Sequence, residues 1–240
     1  MTPGTKARLK SERLVIESAA DGKQIESHPI EEIDHLVVHS GVHIGTQAIS
    51  KVLKNGAPII FASANRVVRG ITVPSHGSVL RKASQIDACR DSKIKITFGR
   101  SIVEAKIKNQ LRVLSRLASY RKLKSISSKK LRTLSKQSSA SHSLDHLRGI
   151  EGAAAAIYFK ELGTFFPEQM PFTKRSTRPP GNPVNALLSY LYVTIAAEIH
   201  LHIMARGLEP GWGFFHEPED RKHALALDLL EPYRAPLADA

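Results

Sequence analysis

At 240 residues the chain is long enough for one large domain or two small ones, and its 42% hydrophobic and 24% charged residues exclude disordered, collagenous and disulfide-scaffold classes. A single cysteine, Cys89, excludes an intramolecular disulfide, and the polar start MTPGTKARLKSER lacks the apolar run of a secretory signal, so a reducing cytoplasm is expected. Lys and Arg number 35 against 22 Asp and Glu, a formal charge of +13, which makes a polyanion, first of all nucleic acid, the default partner.

The first 75 residues predict a small β domain with one short helix. RLVIES, DHLVVHS, PIIFAS and RVVRGITV are β-branched runs separated by turn formers such as Asp21-Gly22 and Asn55-Gly56,. Thr46 is the expected N-cap of the helix, Ile49 and Leu53 share a face, and Asn55-Gly56 supplies the stop before Pro58,. Beyond Pro74 the period changes to 3.6: Phe98, Ile102, Ala105, Val103, Ile107, Leu111, Leu114 and Ala118 predict the buried face of a long basic helix,. Between Arg100 and Lys136 twelve Lys and Arg face one acid, Glu104. Residues 125–143 are Ser-rich without a sustained apolar stripe and predict a solvated helix end and a loop. Helices resume at LDHLRGIEGAAAAIYFKEL, and residues 185–204 place Leu187, Leu188, Leu191, Ile195, Ile199 and Ile203 on one face,. Ser189, Thr194, Glu198, His200 and His202 interrupt that stretch, which argues against a membrane span. FTKRSTRPPGNP cannot be helical, because its prolines remove donors and restrict their neighbours. The fold class is therefore α+β: a β domain over residues 1–75, then a larger all-α domain over 76–240.

Four residues suit divalent-metal chemistry: Glu151, His216, Asp228 and Glu231. Carboxylates with one imidazole hold Mg²⁺ or Mn²⁺ beside a phosphodiester. Asp228 and Glu231, three apart in HALALDLLE, fall on one helical face, with Pro232 ending or kinking the helix. His216 follows the glycine-broken GWGFF. The alternative is structural: Glu151, at the start of an alanine-rich helix, complements its dipole, and Asp228 and Glu231 are solvated surface charges. Spacing alone leaves both open. Lys174, Arg175 and Arg178 stand on the proline loop before Asn185 and suit phosphate oxygens, against the alternative of a solvated loop. The pairs His142/His146 and His200/His202 lack a cysteine cluster and predict no zinc site; GxxxxGK[ST], GxGxxG and GxSxG are all absent,.

Taken in order, AKIKNQ at 105–110, RGIEGAA at 148–154, RPP with NPVNALLSY at 178–190, and GLEP through His216 to LALDLLEPYR at 225–234 resemble the CRISPR-associated adaptation integrase family over the whole chain. The resemblance implies a dimerising β domain and a helical catalytic domain that holds Mg²⁺ or Mn²⁺ on Glu151, His216 and Glu231, with Asp228 as a supporting acid. It also implies active-site neighbours at Arg178 and Asn185, and DNA contacts from Lys174, Arg175, Arg100, Lys106 and Arg112. The implied reaction is direct transesterification, in which the 3′-hydroxyl of a short donor DNA attacks a phosphodiester at the end of a CRISPR repeat. Metal-dependent endonuclease action without joining, or a non-catalytic basic DNA-binding scaffold, are the alternatives. The implied partners are double-stranded DNA, a second copy or higher homo-oligomer, and, as a candidate, the small second CRISPR-associated protein. Family members continue beyond the Glu-Pro-Tyr-Arg segment, whereas this sequence ends nine residues after Glu231, and is read as a compact form or a fragment.

Overall fold

The computed structural model describes residues 3–64, 67–74, 79–121, 128–177, 179–220 and 222–239. By packing, the chain separates into two units, residues 1–85 with 197–210 and residues 86–196 with 211–240. The expected division at residue 75 was drawn from secondary structure alone.

In the first unit, β1 (Thr5–Lys10) and β2 (Arg13–Ser18) form an antiparallel hairpin. Its two-residue turn puts Ser11 and Glu12 at φ 46° and 61°, the left-handed pair that matches the twist of the strands. β3 (Gln24–Pro29) and β5 (His43–Ile44) flank them in the order β3-β2-β1-β5, with β1 and β5 parallel. A second sheet has the order β4-β6-β7, from β4 (Leu36–His39), β6 (Ile59–Ala62) and β7 (Val68–Thr72). Between β5 and β6 lies α1 (Thr46–Lys54), which buries Ala48 and Val52. Together with Ala7, Leu14 and Ile59 they form one apolar core. The sequence reading located β2, β4, β6, β7 and α1. It missed β1, whose charged outward residues hide the alternation, β3, an edge strand with no alternating burial, and the two-residue β5. Gly45, not Thr46, is the N-cap, and no side chain caps the helix; Thr46 is its first helical residue. Gly56 at φ 87° ends the helix as expected,.

A helix not foreseen, α2 (Val79–Arg90), precedes α3 (Ser92–Tyr120), whose N-cap Asp91 accepts from the backbone N–H of Lys93 and Ile94. α3 buries Ile102, Val103, Ile107, Leu114 and Ala118 of the predicted face, while Ala105 and Leu111 are half-buried and Phe98, near the start of the helix, is exposed. Where a solvated helix end and a loop were expected, α4 (Ser128–Ala140) is a full helix. Leu131, Ser135 and Ser138 are buried, and the two small serines let it lie close to its neighbours. α5 (Leu144–Gly163) and α6 (Pro183–Ala205) follow. Within the second unit the inward side of α6 is Val184, Leu188 and Tyr192, whereas Leu187, placed inside by the sequence reading, is 56% exposed. By length and composition α6 could cross a membrane; its interrupting polar residues do not remove that property. α7 (Ala224–Arg234) carries Pro232 within it and runs on into a π-helical turn, Ala235–Asp239. The unit is organised around α3, against which α4, α5 and α7 all pack.

Candidate metal centre

Asp228 is the anchor of the site. It is fully buried on α7, and a buried carboxylate persists only when its oxygens are satisfied. Its Oδ2 accepts the backbone N–H of Phe214 at 2.6 Å and of Phe215 at 3.0 Å; its Oδ1 accepts that of His216 at 2.9 Å. The loop comes this close because residue 213 is glycine: a Cβ there would lie 2.8 Å from Asp228 Oδ2 and 2.9 Å from the Ala224 carbonyl carbon. The same Oδ1 stands 2.7 Å from His216 Nδ1. A carboxylate that already accepts N–H groups fixes the proton on Nδ1, which leaves the lone pair of a neutral ring on Nε2. This is the arrangement that orients a metal-binding imidazole.

The loop beyond His216 is fastened by Arg148 of α5, which donates to the carbonyl of Phe215 at 3.2 Å and to Glu217 at 3.0 Å. Lys95 of α3 donates to both oxygens of Glu217 at 3.0 Å. These hydrogen bonds, that from Lys95 first, lower the Glu217 pKa below its ordinary value.

Glu151 lies two turns inside α5 rather than at its start, so it has no part in the helix dipole,. Glu231, on α7 with Asp228, is 5% exposed, which excludes a solvated charge. Lys106 of α3 stands between these two acids: its ammonium contacts Glu151 and lies 2.5 Å from Glu231 Oε2. Arg234 reaches the other Glu231 oxygen at 3.0 Å. Burial alone would raise the Glu231 pKa, but Lys106, then Arg234 and His216, outweigh it and hold the carboxyl below its ordinary value,. Despite the ammonium, Glu231 Oε2 has no hydrogen bond of acceptable geometry. A buried oxygen with charge but no directed donor suits a cation with no directional demand. Glu151, Glu231 and the Nε2 of His216 form a mixed carboxylate and imidazole set appropriate to Mg²⁺ or Mn²⁺. Among the described residues, however, no three such side chains already stand in metal-binding geometry.

Lys106 therefore departs from the expected DNA contact. Its side chain is 8% exposed and ion-paired on both sides. Its position on the period of Val103, Ile107 and Gln110, all buried, was the signal in the sequence. Arg100 also turns inward, donating to the carbonyl of Ser141 at 2.5 Å and lying 3.0 Å from His142 Nδ1. Arg112 remains exposed and donates to Asn109. Asn185 is 1% exposed; its Oδ1 accepts from Arg175 and the Ser176 N–H, and its Nδ2 donates to the Lys174 carbonyl. It staples the proline loop to α6 and has no surface for DNA. Arg175 is largely occupied by this loop, with a further bond to Ser189 at 2.9 Å, whereas Lys174 is exposed. Arg178 lies outside the described residues.

Beside the acids opens a cavity of about 880 Å³, lined by Lys106, Glu151, Phe159, Lys160, Phe172, Lys174, Arg175 and Arg234 among others. Lys160 and Lys174 are exposed there and suit the phosphates of a nucleic-acid strand, with the half-buried Phe159 ring beside them for a base, whereas Lys106, Arg175 and Arg234 are engaged within the protein,. Next to it, Asp239 accepts hydroxyl hydrogen bonds from Tyr192 at 2.6 Å and Tyr158 at 2.9 Å, and Arg175 and Arg234 lie over the Tyr192 ring at 5.2 and 4.9 Å. No sequence spacing announced this cluster. Burial pushes the Asp239 carboxyl up to about 6, although the two tyrosines and the arginines pull it down. A raised carboxylate pKa means the fold binds the proton more tightly than the unfolded chain, so the stability it gives is complete below pH ~4 and is lost as the pH rises through ~6. Asp239→Asn should thus gain about 2–3 kcal/mol relative to wild type between pH 4 and pH 8. Urea unfolding of both proteins across that range checks the slope; the opposite sign would show that the arginines, not burial, govern Asp239.

A family model described as CRISPR associated protein Cas1 matches residues 1–240. A CRISPR-associated endonuclease Cas1 of Thermodesulfovibrio yellowstonii is 32% identical over 90% of this chain and 69% of its own length. A Cas4/Cas1 exonuclease–endonuclease fusion of Myxococcus xanthus is 31% identical over 99% of this chain, which spans only 43% of the fusion. Among solved structures, a casposase bound to its integration product superposes with a TM-score of 0.76 at 22% identity, covering 97% of this chain and 71% of the casposase. A Cas1 protein from Thermotoga maritima gives 0.70 at 22%, covering 98% of this chain and 71% of its own. The structural likeness is one of fold, a β region followed by a helical region, and agrees with the α+β reading. With the family model matched from end to end, the chain belongs to the Cas1 family of CRISPR-associated proteins.

Proposed function

We propose that this chain is a divalent-metal-dependent DNA integrase of CRISPR adaptation. The observation that carries the reading is the carboxylate-anchored imidazole of His216 beside two acids, Glu151 and Glu231, that already surround one positive charge. In the reaction, the 3′-hydroxyl oxygen of a donor strand forms a bond to a target phosphorus and the bond from that phosphorus to its own 3′-oxygen breaks. The nucleophile loses a proton and the departing oxygen gains one, so phosphodiester bonds are conserved. Glu151, His216 and Glu231 would hold Mg²⁺ or Mn²⁺, which supplies Lewis acidity toward the phosphate and the two reacting oxygens. Asp228 keeps the His216 lone pair aimed, and Arg234 keeps Glu231 in place. Lys160 and Lys174 attract the strand into the cavity, and Phe159, backed by the buried Phe172, offers a face for a base. The exposed cations of α3 and α4, among them Arg112, Lys130 and Lys136, extend the field over a duplex.

Joining both strands requires two sites at a fixed spacing, which supports a homodimer or higher oligomer. β3 is an edge strand with Ile25 exposed, a feature suited to pairing between copies. Structures similar in fold include a Cas6-RT-Cas1–Cas2 complex and a Cas1–DNA complex. They support DNA and a small Cas2-type protein as partners, and a prokaryotic cytoplasm is the setting proposed for them. The names of the curated relatives favour a second reading, hydrolysis by water at the same centre. The test is incubation of the purified chain with Mg²⁺ or Mn²⁺, short duplexes with 3′-hydroxyl ends and a plasmid bearing a CRISPR repeat. Longer, covalently joined strands are expected. Shortened strands alone would establish hydrolysis, and binding without strand chemistry, even with the Cas2-type protein added, would leave a scaffold.

A further inference from the structure

From the position of Lys106 between the two acids we infer that its ammonium is a built-in competitor for the metal position: it must withdraw when the divalent ion enters. The inference rests on the metal-centre reading above and adds a role for a residue outside the ligand set. Lys106 is buried, and its Nζ contacts Glu151 while standing 2.5 Å from Glu231 Oε2. That oxygen is left without a directed hydrogen bond, so the ammonium satisfies charge without satisfying geometry. Two cations cannot share this space, since like charges a few ångströms apart in a buried site repel strongly.

Withdrawal has a route. Lys106 and Glu151 both line the cavity that holds Lys160 and Lys174, and the four-carbon stem lets the ammonium swing there without backbone movement. In that position it meets a strand's phosphates. Lys106 thus neutralises the acids when the ion is absent and joins the phosphate-binding cations when it is present. Arginine could not do this as readily, because its planar fork would hold both carboxylates in a fixed pairing.

The decisive measurement is Mn²⁺ affinity by calorimetry on the whole chain without DNA, for wild type, Lys106→Met and Glu231→Gln. Removing the competitor should tighten Mn²⁺ binding by about tenfold or more, since the ion no longer has to displace a charge. Weaker or unchanged binding in Lys106→Met overturns the inference and makes Lys106 a plain structural ion pair. If wild type binds no Mn²⁺, or Glu231→Gln binds it equally well, the metal-centre reading itself falls. A wild-type readout covers a variant that does not fold: amine acylation mapped by mass spectrometry. Mn²⁺ should increase labelling at Lys106 several-fold, and protection or no change overturns the inference.

Discussion

Replacement of Asp228 by alanine should lower unfolding free energy by about 3–5 kcal/mol and eliminate metal binding, the largest stability effect expected in the chain. Three backbone N–H groups end on this carboxylate, and each buried donor left without a partner costs about 1–3 kcal/mol. Water entering the vacated space offsets part of that, which places the total below the sum. Against a typical stability of about 5–15 kcal/mol, the loss should be plain in a urea titration. Asp228→Asn spares most of the fold and isolates the function: the Phe214 and Phe215 N–H groups keep an acceptor, and the His216 N–H, which Oδ1 accepts in the wild type, is the one donor left facing the amide NH₂. The isosteric amide keeps one acceptor oxygen, and with that oxygen on the Phe214 and Phe215 N–H groups, its NH₂ faces His216. The ring must then accept at Nδ1 and carry its proton on Nε2, which removes the lone pair a metal needs. Nitrogen-15 shifts of the His216 ring should report a tautomer exchange between wild type and Asp228→Asn. The same tautomer in both would sink the anchoring role assigned to Asp228.

The strands with clean β-branched runs and the helix faces with a sustained 3.6 period were legible, because burial on one side imposes those periods directly. β1, TKARLK, was not: its outward positions are Lys6, Arg8 and Lys10, and charge there reads as a tail. α4 was missed for the opposite reason, since Ser135 and Ser138 are buried without being apolar. For Glu151, His216, Asp228 and Glu231, residue spacing alone gave no division of labour; only the family resemblance set Asp228 apart as a supporting acid. Asp228 and Glu231 share a helical face, yet one takes three N–H groups and the other faces a lysine. Nothing in a three-residue spacing distinguishes an anchoring acid from a metal-binding acid. That depends on the loop at Gly213, which is 15 residues upstream of Asp228 and meets it only in the fold. The burial of Lys106 was not foreseen because a basic segment was treated as a single surface, although its position on the buried period of α3 already set it apart from Arg112.

His216→Ala and Glu151→Gln should each lower strand joining by about 10³-fold or more, the equivalent of roughly 4 kcal/mol of transition-state stabilisation, with DNA affinity unchanged or slightly tighter. The argument concerns where charge lies. These two residues add no positive charge to the cavity, and loss of the Glu151 carboxylate removes a repulsion toward phosphate. Affinity should instead come from exposed cations such as Lys174, Arg112 and those of α4. Lys174→Ala should therefore do the reverse: weaken DNA binding, reduce the slope of log K against log salt by about 0.9, and recover joining at saturating DNA. Binding isotherms at several salt concentrations, paired with single-turnover joining on a labelled donor, read both quantities on each variant. Loss of affinity in parallel with joining for His216→Ala would show that the loop it sits on binds DNA and that the ring has no part at the reacting phosphate.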